Sequence, residues 1–528
     1  MFKNIYEMLQ SVCTANKDSV FFVRQNKTYG DLLQNVKRRA VMLAQKFGIK
    51  KGDTVALLSG NTPEFIQSYF AITSQGAKVL MLDTGLSANE HLNMMEKTNC
   101  KLALAQKSHF VSGGPEMFDI ETIDDSDEKD FSAASVNPDD YAMLSFTSGS
   151  TGNPKIVGLT HNNIVSLGDG ALFYSPVIKP GYIFYGFLPL YHIYGVVINI
   201  IAPIVLRAKL LLQTELKPTE FLKDFAEYHP EVIPAVPRIW EGFYKKIIES
   251  AKQKKKYFIM KTVIRLRGFW RAIGMGWLVK KVTKPIHQLF GENVKVIVSA
   301  GATLKPRVRK FFESLGFVVG DCYGLTETTG PSNFNFSFRQ PDGSMYYAGP
   351  LPGNEIKIHN PDKAGIGEVW VRGNLVMPGY IGNDAANAEA FEDGWFKTGD
   401  LGMLDSKKRL IIKGRQKQVI VLDNGKNVYP DELEDLYLAN DEILTAAVLE
   451  RVINDKVVAY GVFQVKEGTS LERVRMLLQT SNLLIAPYKW VKHFAITEDE
   501  LPQTSARKVK HFEIKAMLDR GEFPKRNE

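Results

Sequence analysis

The first 140 residues alternate short apolar runs with helix-length segments, and no other feature of the chain narrows its fold so far. Asp53-Thr-Val-Ala-Leu-Leu-Ser, Lys78-Val-Leu-Met-Leu-Asp and Leu102-Ala-Leu-Ala have strand length, while Pro63 to Ser74, opened by Asn61 and Thr62, and Ser87 to Lys97 have helical length. Repetition of strand, helix, strand predicts a largely parallel sheet covered by helices. At 528 residues the chain is too long for one ordinary core, so two or more domains are expected.

The next apolar run, Ala142 to Phe146, stops at Thr147-Ser-Gly-Ser-Thr-Gly-Asn-Pro-Lys155. Thr147, Ser148, Ser150 and Thr151 supply hydroxyls, Gly149 and Gly152 let backbone N–H groups approach an anion closely, and Lys155 adds a mobile positive charge. The ligand such a loop suits is a polyphosphate; the plain alternative is a Ser/Gly turn. It is not a Walker loop, because Asn153 and Pro154 stand where that pattern needs a Lys directly after the second Gly.

Composition removes several classes. The chain is 45% hydrophobic and 23% charged, which is globular rather than disordered. Cys13, Cys100 and Cys322 are widely spaced and lack zinc-site or disulfide-framework spacing, which fits a reducing cytoplasm. The N-terminus has no apolar run of signal-peptide length. Tyr182 to Leu206 contains no Asp, Glu, Lys or Arg, but Pro189, Pro203 and His192 argue for buried interior rather than a membrane span.

The net charge of +8 is local: Ser250 to Gly291 holds eleven Lys or Arg and no Asp or Glu, which argues against a general nucleic-acid binder. In that segment Ile259, Val263, Leu266, Trp270, Ile273 and Trp277 recur at helical spacing, with Arg265, Arg267 and Arg271 between them. Two readings follow for residues 252 to 284: a helix packed on the domain with a solvated basic face, which is preferred, or one in peripheral contact with an anionic membrane. Val294-Lys-Val-Ile-Val-Ser-Ala-Gly-Ala-Thr-Leu reads as a strand running into a glycine turn, where ligands gather in open α/β sheets.

Further strings, in order, carry a resemblance: Leu188-Pro-Leu-Tyr-His-Ile-Tyr-Gly195, Asp321-Cys-Tyr-Gly-Leu-Thr-Glu-Thr328, Gly394-Trp-Phe-Lys-Thr-Gly-Asp-Leu-Gly402, Leu410-Ile-Ile-Lys-Gly-Arg-Gln-Lys417 and Leu501-Pro-Gln-Thr-Ser-Ala-Arg-Lys508. With the Thr147 to Lys155 loop they resemble the adenylate-forming superfamily over nearly the whole chain. Val232-Ile-Pro-Ala-Val-Pro-Arg-Ile-Trp-Glu resembles the long-chain fatty acyl-CoA synthetases within it. The resemblance implies an α/β fold with a large N-terminal domain of helix-covered, mainly parallel sheets (1 to 414), a hinge (415 to 417) and a small mobile α+β C-terminal domain (418 to 528). It implies ATP, Mg2+ and CoA as cofactors.

Residue by residue, the resemblance implies that the loop from Thr147 to Lys155 holds phosphates, that Ala300, Gly301 and Ala302 face adenine, and that Tyr323 stacks on it beside Gly324. Thr326 donates to the α-phosphate and Glu327 holds magnesium, as a hard cation demands. Asp400 accepts from the ribose hydroxyls, Arg415 contacts ribose and phosphate, Lys417 is the hinge residue, and Gly425 lets pantetheine pass. Lys508 steadies the negative oxygens during adenylation. His192 sits at the inner end of the acid pocket, with Tyr191, Gly195 and Val196 along it. Val196 stands where fatty-acid-activating relatives can carry an aromatic gate, and Arg507 replaces a usual Gly.

Between Asp169 and Glu215 there is no carboxylate to pair with an amino-acid ammonium, so an uncharged acid tail is expected. The activity implied is conversion of a medium- or long-chain fatty acid to acyl-AMP and then acyl-CoA. Alternatives are an acyl carrier protein ligase, an aryl-acid CoA ligase, an oxygenase of the luciferase kind, and a non-enzymatic nucleotide-binding homologue.

Overall fold

The computed structural model describes residues 2–122, 127–147, 154–214, 218–339, 345–346, 348–423, 426–503, 509–523 and 525–527. The chain divides into two compact units. The first comprises Met1–Ile356, Val371–Phe396 and Ser406–Arg409; the second comprises Lys357–Trp370, Lys397–Asp405 and Leu410–Glu528.

Two sheets build the first unit, and the expected α/β class holds. In the six-stranded sheet, Glu116–Asp119, Cys100–Ala105, Thr54–Leu58, Lys78–Met81 and Tyr141–Thr147 run parallel in that spatial order, and Lys155–Thr160 closes the edge antiparallel to Tyr141–Thr147. Thr54–Leu58 is buried along its whole length, as a parallel strand covered on both faces must be. The helices Pro63–Ser74 and Ala88–Lys97 begin where their caps dictate: Thr62 accepts from the Phe65 N–H, and Ser87 forms a capping box with Glu90.

The second sheet has nine strands. Val318–Leu325, Val296–Ala300, Val232–Ala235, Ile183–Gly186, Lys209–Leu212 and Val20–Phe22 run parallel in that order, with antiparallel strands at the edges. The order reverses at Ile183–Gly186. From there the chain steps outward to Lys209–Leu212, then crosses back to Val232–Ala235 and proceeds the other way. With right-handed crossovers, the connections leaving Gly186 and Ala235 part to opposite faces and open a crevice at the carboxyl ends of these strands.

The long apolar run is interior, as expected. Strand Ile183–Gly186 is short, and Leu188 to His192 is a loop leading into the helical stretch Ile193–Val205, whose middle, Val196–Ile201, is π-helical. Among the described residues no helix is long and apolar enough to cross a membrane. Cys13, Cys100 and Cys322 are free thiols. Burial raises all three out of their ordinary range, Cys13 to about 12 and Cys100 to about 11.

In the second unit, Ile443–Ile453, Lys456–Val465, His493–Thr497 and Lys525–Asn527 form a mixed sheet. Helices Pro430–Tyr437 and Leu471–Asn482 contribute Leu433, Tyr437, Val474 and Leu478 to the core on one face, and His511–Asp519 contributes Ile514 and Leu518 on the other.

One buried side chain ties the two sheets of the first unit together. Asn61, just beyond strand Thr54–Leu58, donates to the carbonyls of Leu188 (3.1 Å) and Gln213 (3.2 Å) and accepts from the Leu190 N–H (3.0 Å). Asn61→Ala removes these three hydrogen bonds, leaving the Leu188 carbonyl to Asn199, and is expected to lower stability by about 2–3 kcal/mol. Denaturant titration of the full chain checks this, and a loss near zero would mean the loop is held elsewhere.

Candidate active site

Three loops converge where the parallel strands of the large sheet end. After Ile183–Gly186 comes the loop with Tyr191 and His192; after Val296–Ala300 come Gly301 and Ala302; and Val318–Leu325 delivers Tyr323 and Gly324, then Thr326 and Glu327 in a single 3-10 turn. Gly301 has φ +88°, which suits glycine, and Ala300 is buried at the strand's end. Tyr194, at the start of the helix after the first loop, donates to the carbonyl of Val298 at 3.4 Å and so ties that helix to strand Val296–Ala300, two strands away in the sheet.

Close packing explains two of the glycines. A Cβ on Gly195 would stand 1.9 Å from the carbonyl oxygen of Pro189, and one on Gly324 would stand 1.8 Å from that of Gly330. Val196 is fully buried next to Gly195 at the start of the π-helical turn. Gly330 in turn lies on Val197 and Ile193, so the Glu327 turn and the His192 helix are packed on one another.

The Glu327 turn is held from several sides. Thr328 Oγ1 accepts from the Leu325 N–H at 2.9 Å, and the Met377 N–H donates to the Glu327 carbonyl at 2.9 Å. Thr329, a β-branched residue, sits at φ +53°, a conformation such residues rarely adopt, and its hydroxyl donates to the Leu375 carbonyl at 2.6 Å. The carboxylate itself accepts from the Tyr380 hydroxyl at 3.0 Å. Lys155 Nζ stands 4.6 Å from the centre of the Tyr380 ring, and Ile381 N–H bonds the Ile156 carbonyl, so Lys155 and Glu327 share Tyr380 as a neighbour.

Thr147 and Lys155 lie opposite one another on antiparallel strands. The loop they bracket therefore joins a strand to a strand. Ser148, Gly149, Ser150, Thr151 and Gly152 lie outside the described residues, as do Gly425 and Lys508. Asp83, two residues beyond strand Lys78–Met81, comes from the same end of this sheet and has a carboxylate oxygen 3.9 Å from His192 Nε2. No local sequence pattern around His192 reveals this carboxylate, because it arrives from another strand. Asp83 also accepts from the Gly85 N–H at 2.8 Å.

Sequence reasoning missed Tyr380, Asp83 and Asn61 as parts of this site. Tyr380 follows Met377-Pro-Gly with no signal of its own, and only its bridge to Val157 brings it beside Lys155.

In the second unit, Asp400 and Arg415 are cross-strand partners on Trp395–Leu404 and Leu410–Arg415, and Arg415 Nε meets Asp400 Oδ1 at 2.9 Å. Asp400 is buried, while Arg415 is exposed and also donates to the Thr398 carbonyl at 3.2 Å. Lys417 lies in the exposed 3-10 turn Gln416–Gln418. Beyond it, His511 Nε2 is 2.6 Å from Glu434 Oε1, Gln418 approaches His511 Nδ1 at 3.4 Å, and Gly414 packs on Asp431. Burial pushes the Asp431 carboxyl up to about 6. Burial acts to lower His511, but the Glu434 hydrogen bond and the charges of Glu434 and Asp431 outweigh it, and its pKa is raised.

Lys155 and the braced Glu327 carboxylate thus meet at the carboxyl ends of parallel strands in an open α/β fold, the place where such folds bind their ligands. The chain belongs to the AMP-binding enzyme family, which matches residues 9–381. Its class is that of AMP-forming acid–thiol ligases. It is 31% identical over 456 residues to the long-chain-fatty-acid–CoA ligase FadD15 of Mycobacterium bovis, spanning 79% of this chain and 74% of that one. It is 27% identical over 448 residues to the 2-succinylbenzoate–CoA ligase of Bacillus velezensis, spanning 82% of each. Among solved structures, O-succinylbenzoate coenzyme A synthetase (MenE) from Bacillus subtilis in complex with ATP and magnesium ion matches with a TM-score of 0.76 at 23% identity, covering 96% of this chain and 99% of that one, a likeness of fold.

A raised histidine pKa adds stability that is full below the unfolded value near 6.5 and is lost as pH rises through the folded value. Protection of strand Ile443–Ile453 from hydrogen exchange in the full chain, corrected for intrinsic rates, is expected to fall as pH is raised above 6.5. His511→Gln should flatten that dependence; an unchanged slope would show that the Glu434 pair does not stabilise this unit.

Proposed function

We propose that the protein activates a medium- or long-chain fatty acid with ATP, giving acyl-AMP and pyrophosphate, and then transfers the acyl group to the thiol of CoA, giving acyl-CoA and releasing AMP. The observation that carries this reading is the meeting of Lys155, Tyr380 and Glu327 beside the strand end that bears Tyr323 and Thr326. A cation and a carboxylate sharing one aromatic neighbour suit a magnesium-bearing polyphosphate: the cation meets phosphate oxygens and the carboxylate meets the metal.

Among the described residues no group of three or more His, Cys, Asp or Glu is placed to hold a metal ion. The Glu327 carboxylate, braced by Tyr380, fits magnesium, which keeps several waters and is held by one or two carboxylates together with the substrate's phosphates. Glu327 would hold it, with Tyr380 orienting the carboxylate. Bound there, magnesium would offset charge on the phosphate oxygens.

The acid carboxylate attacks the α-phosphorus, an O–P bond forms, and the bond to pyrophosphate breaks. In this reading the loop of Thr147, Ser148, Gly149, Ser150, Thr151, Gly152 and Lys155 retains pyrophosphate, and Thr326 donates to the α-phosphate. Lys508 offsets the negative charge on the reacting oxygens. Ala300, Gly301 and Ala302 with Tyr323 and Gly324 seat adenine, and Asp400 accepts from the ribose diol, held ready by Arg415. His192 and Tyr191 close the inner end of the acid site, and the buried run from Gly195 and Val196 onward gives its tail an apolar lining. Turning about Lys417 and passage of pantetheine by Gly425 would serve the second half-reaction.

The likeness to 2-succinylbenzoate–CoA ligase over 82% of the chain favours an aryl acid as the second reading. Pyrophosphate release with acids from acetate to long-chain and aromatic, with and without CoA, separates the two: the fatty-acid reading requires the highest kcat/KM with medium or long chains. Lys508→Ala is expected to cut acyl-adenylate formation far more than thioester formation from supplied acyl-AMP; equal loss in both would refute its role. Tyr380→Phe removes one hydrogen bond to a carboxylate, worth roughly 1–2 kcal/mol, and should raise the magnesium concentration needed for half-maximal rate by about tenfold. If only kcat changes, Tyr380 does not serve the metal.

A further inference from the structure

The basic segment folds as three helices, Tyr257–Arg265, Arg267–Ala272 and Gly276–Leu289, where the sequence pattern suggests one continuous stripe. Its inner positions are satisfied: Met260, Val263, Ile264, Val279 and Ile286 are buried, and Arg267 donates to the Glu313 carbonyl at 2.5 Å, which anchors the bend between helices. A packed helix with a solvated polar face would leave only charged groups outside. Here the outside is apolar as well. Phe258 is 78% exposed, Ile259 60% and Trp277 58%, and Leu266, Phe269 and Ile273 are exposed with them.

Around these side chains Lys252, Lys254, Lys255, Lys256, Lys261, Arg265, Lys280, Lys281 and Lys284 are all exposed, and no acidic residue lies between Ser250 and Gly291. Six large exposed hydrophobics within twenty residues, rimmed by charge of one sign, mark an interaction surface. The charge selects the occupant. A second copy docking on the same face would set cations against cations, which is unfavourable. Phe, Trp and cations together also suit single-stranded nucleic acid, yet Ile259, Leu266 and Ile273 have no π-face on which a base can stack. Aliphatic and aromatic side chains ringed by lysines are what an interfacial surface presents to acyl chains and acidic headgroups.

We propose that the Tyr257–Leu289 helices form a docking surface for an anionic lipid bilayer, with Phe258, Ile259 and Trp277 entering the acyl boundary and the surrounding lysines meeting the headgroups. This surface is independent of which acid the enzyme activates, and its failure would leave the acid-activation reading untouched.

The test is cosedimentation of the full chain with vesicles of phosphatidylglycerol and phosphatidylcholine, against vesicles of phosphatidylcholine alone. Binding is expected to the anionic vesicles at low salt and to be largely lost at 0.5 M salt, where screening shortens to a few ångströms. The combined variant Phe258→Ser, Ile259→Ser and Trp277→Ser should bind at least tenfold more weakly with an unchanged circular dichroism spectrum. Should that variant misfold, Lys254→Glu with Lys255→Glu and Lys256→Glu carries the same expectation. No binding of the parent protein to anionic vesicles, undiminished binding by a folded variant, or tighter binding to a single-stranded oligonucleotide would each overturn the proposal.

Discussion

The amide of Asn61 makes its three hydrogen bonds where the carboxyl ends of two sheets meet, and the loop it holds carries Tyr191 and His192. Parallel strands end in backbone groups that have no further ladder to join, so something must satisfy them in a buried place. Asn61 does so for Leu188, Leu190 and Gln213 together, and Asn199 adds a second bond to the Leu188 carbonyl at 2.8 Å. The reversal of strand order then leaves a crevice whose walls are set by these contacts rather than by loop chemistry alone.

Around that crevice, charge is paired with restraint. Glu327 is braced by Tyr380 and by the turn whose Thr329 occupies the left-handed region, so the carboxylate is carried on backbone that the surrounding bonds over-determine. His192 stands near Asp83. Each acidic group has an identifiable neighbour that limits where it can point, and preorganisation of this kind is what charge stabilisation in a site requires.

The alternation of strand and helix in the first 140 residues was enough to read the parallel six-stranded sheet, because strands buried on both faces are apolar throughout and caps such as Thr62 and Ser87 announce the helices. The strings around Tyr323 and Asp400 were legible by resemblance. What stayed hidden came from long-range placement. Tyr380 lies more than 200 residues from Lys155, and Asp83 more than 100 from His192, so no local pattern pairs them. That Lys155–Thr160 runs antiparallel to Tyr141–Thr147 was hidden for a similar reason, since a strand after a glycine-rich stretch does not reveal its direction. The helical spacing from Ile259 to Trp277 was real but broken at Leu266 and again near Gly274, and periodicity does not tell an inward apolar position from an outward one.

The state of the three cysteines bears on the fate of an activated acyl group. Cys322 directly precedes Tyr323 in the strand that ends at the crevice, yet its thiol, like those of Cys13 and Cys100, is kept protonated by its surroundings. Only a thiolate attacks a carbonyl efficiently. Burial that keeps these thiols protonated makes them poor nucleophiles toward an activated acyl group, so a cysteine can directly precede Tyr323 without being a ready acyl acceptor.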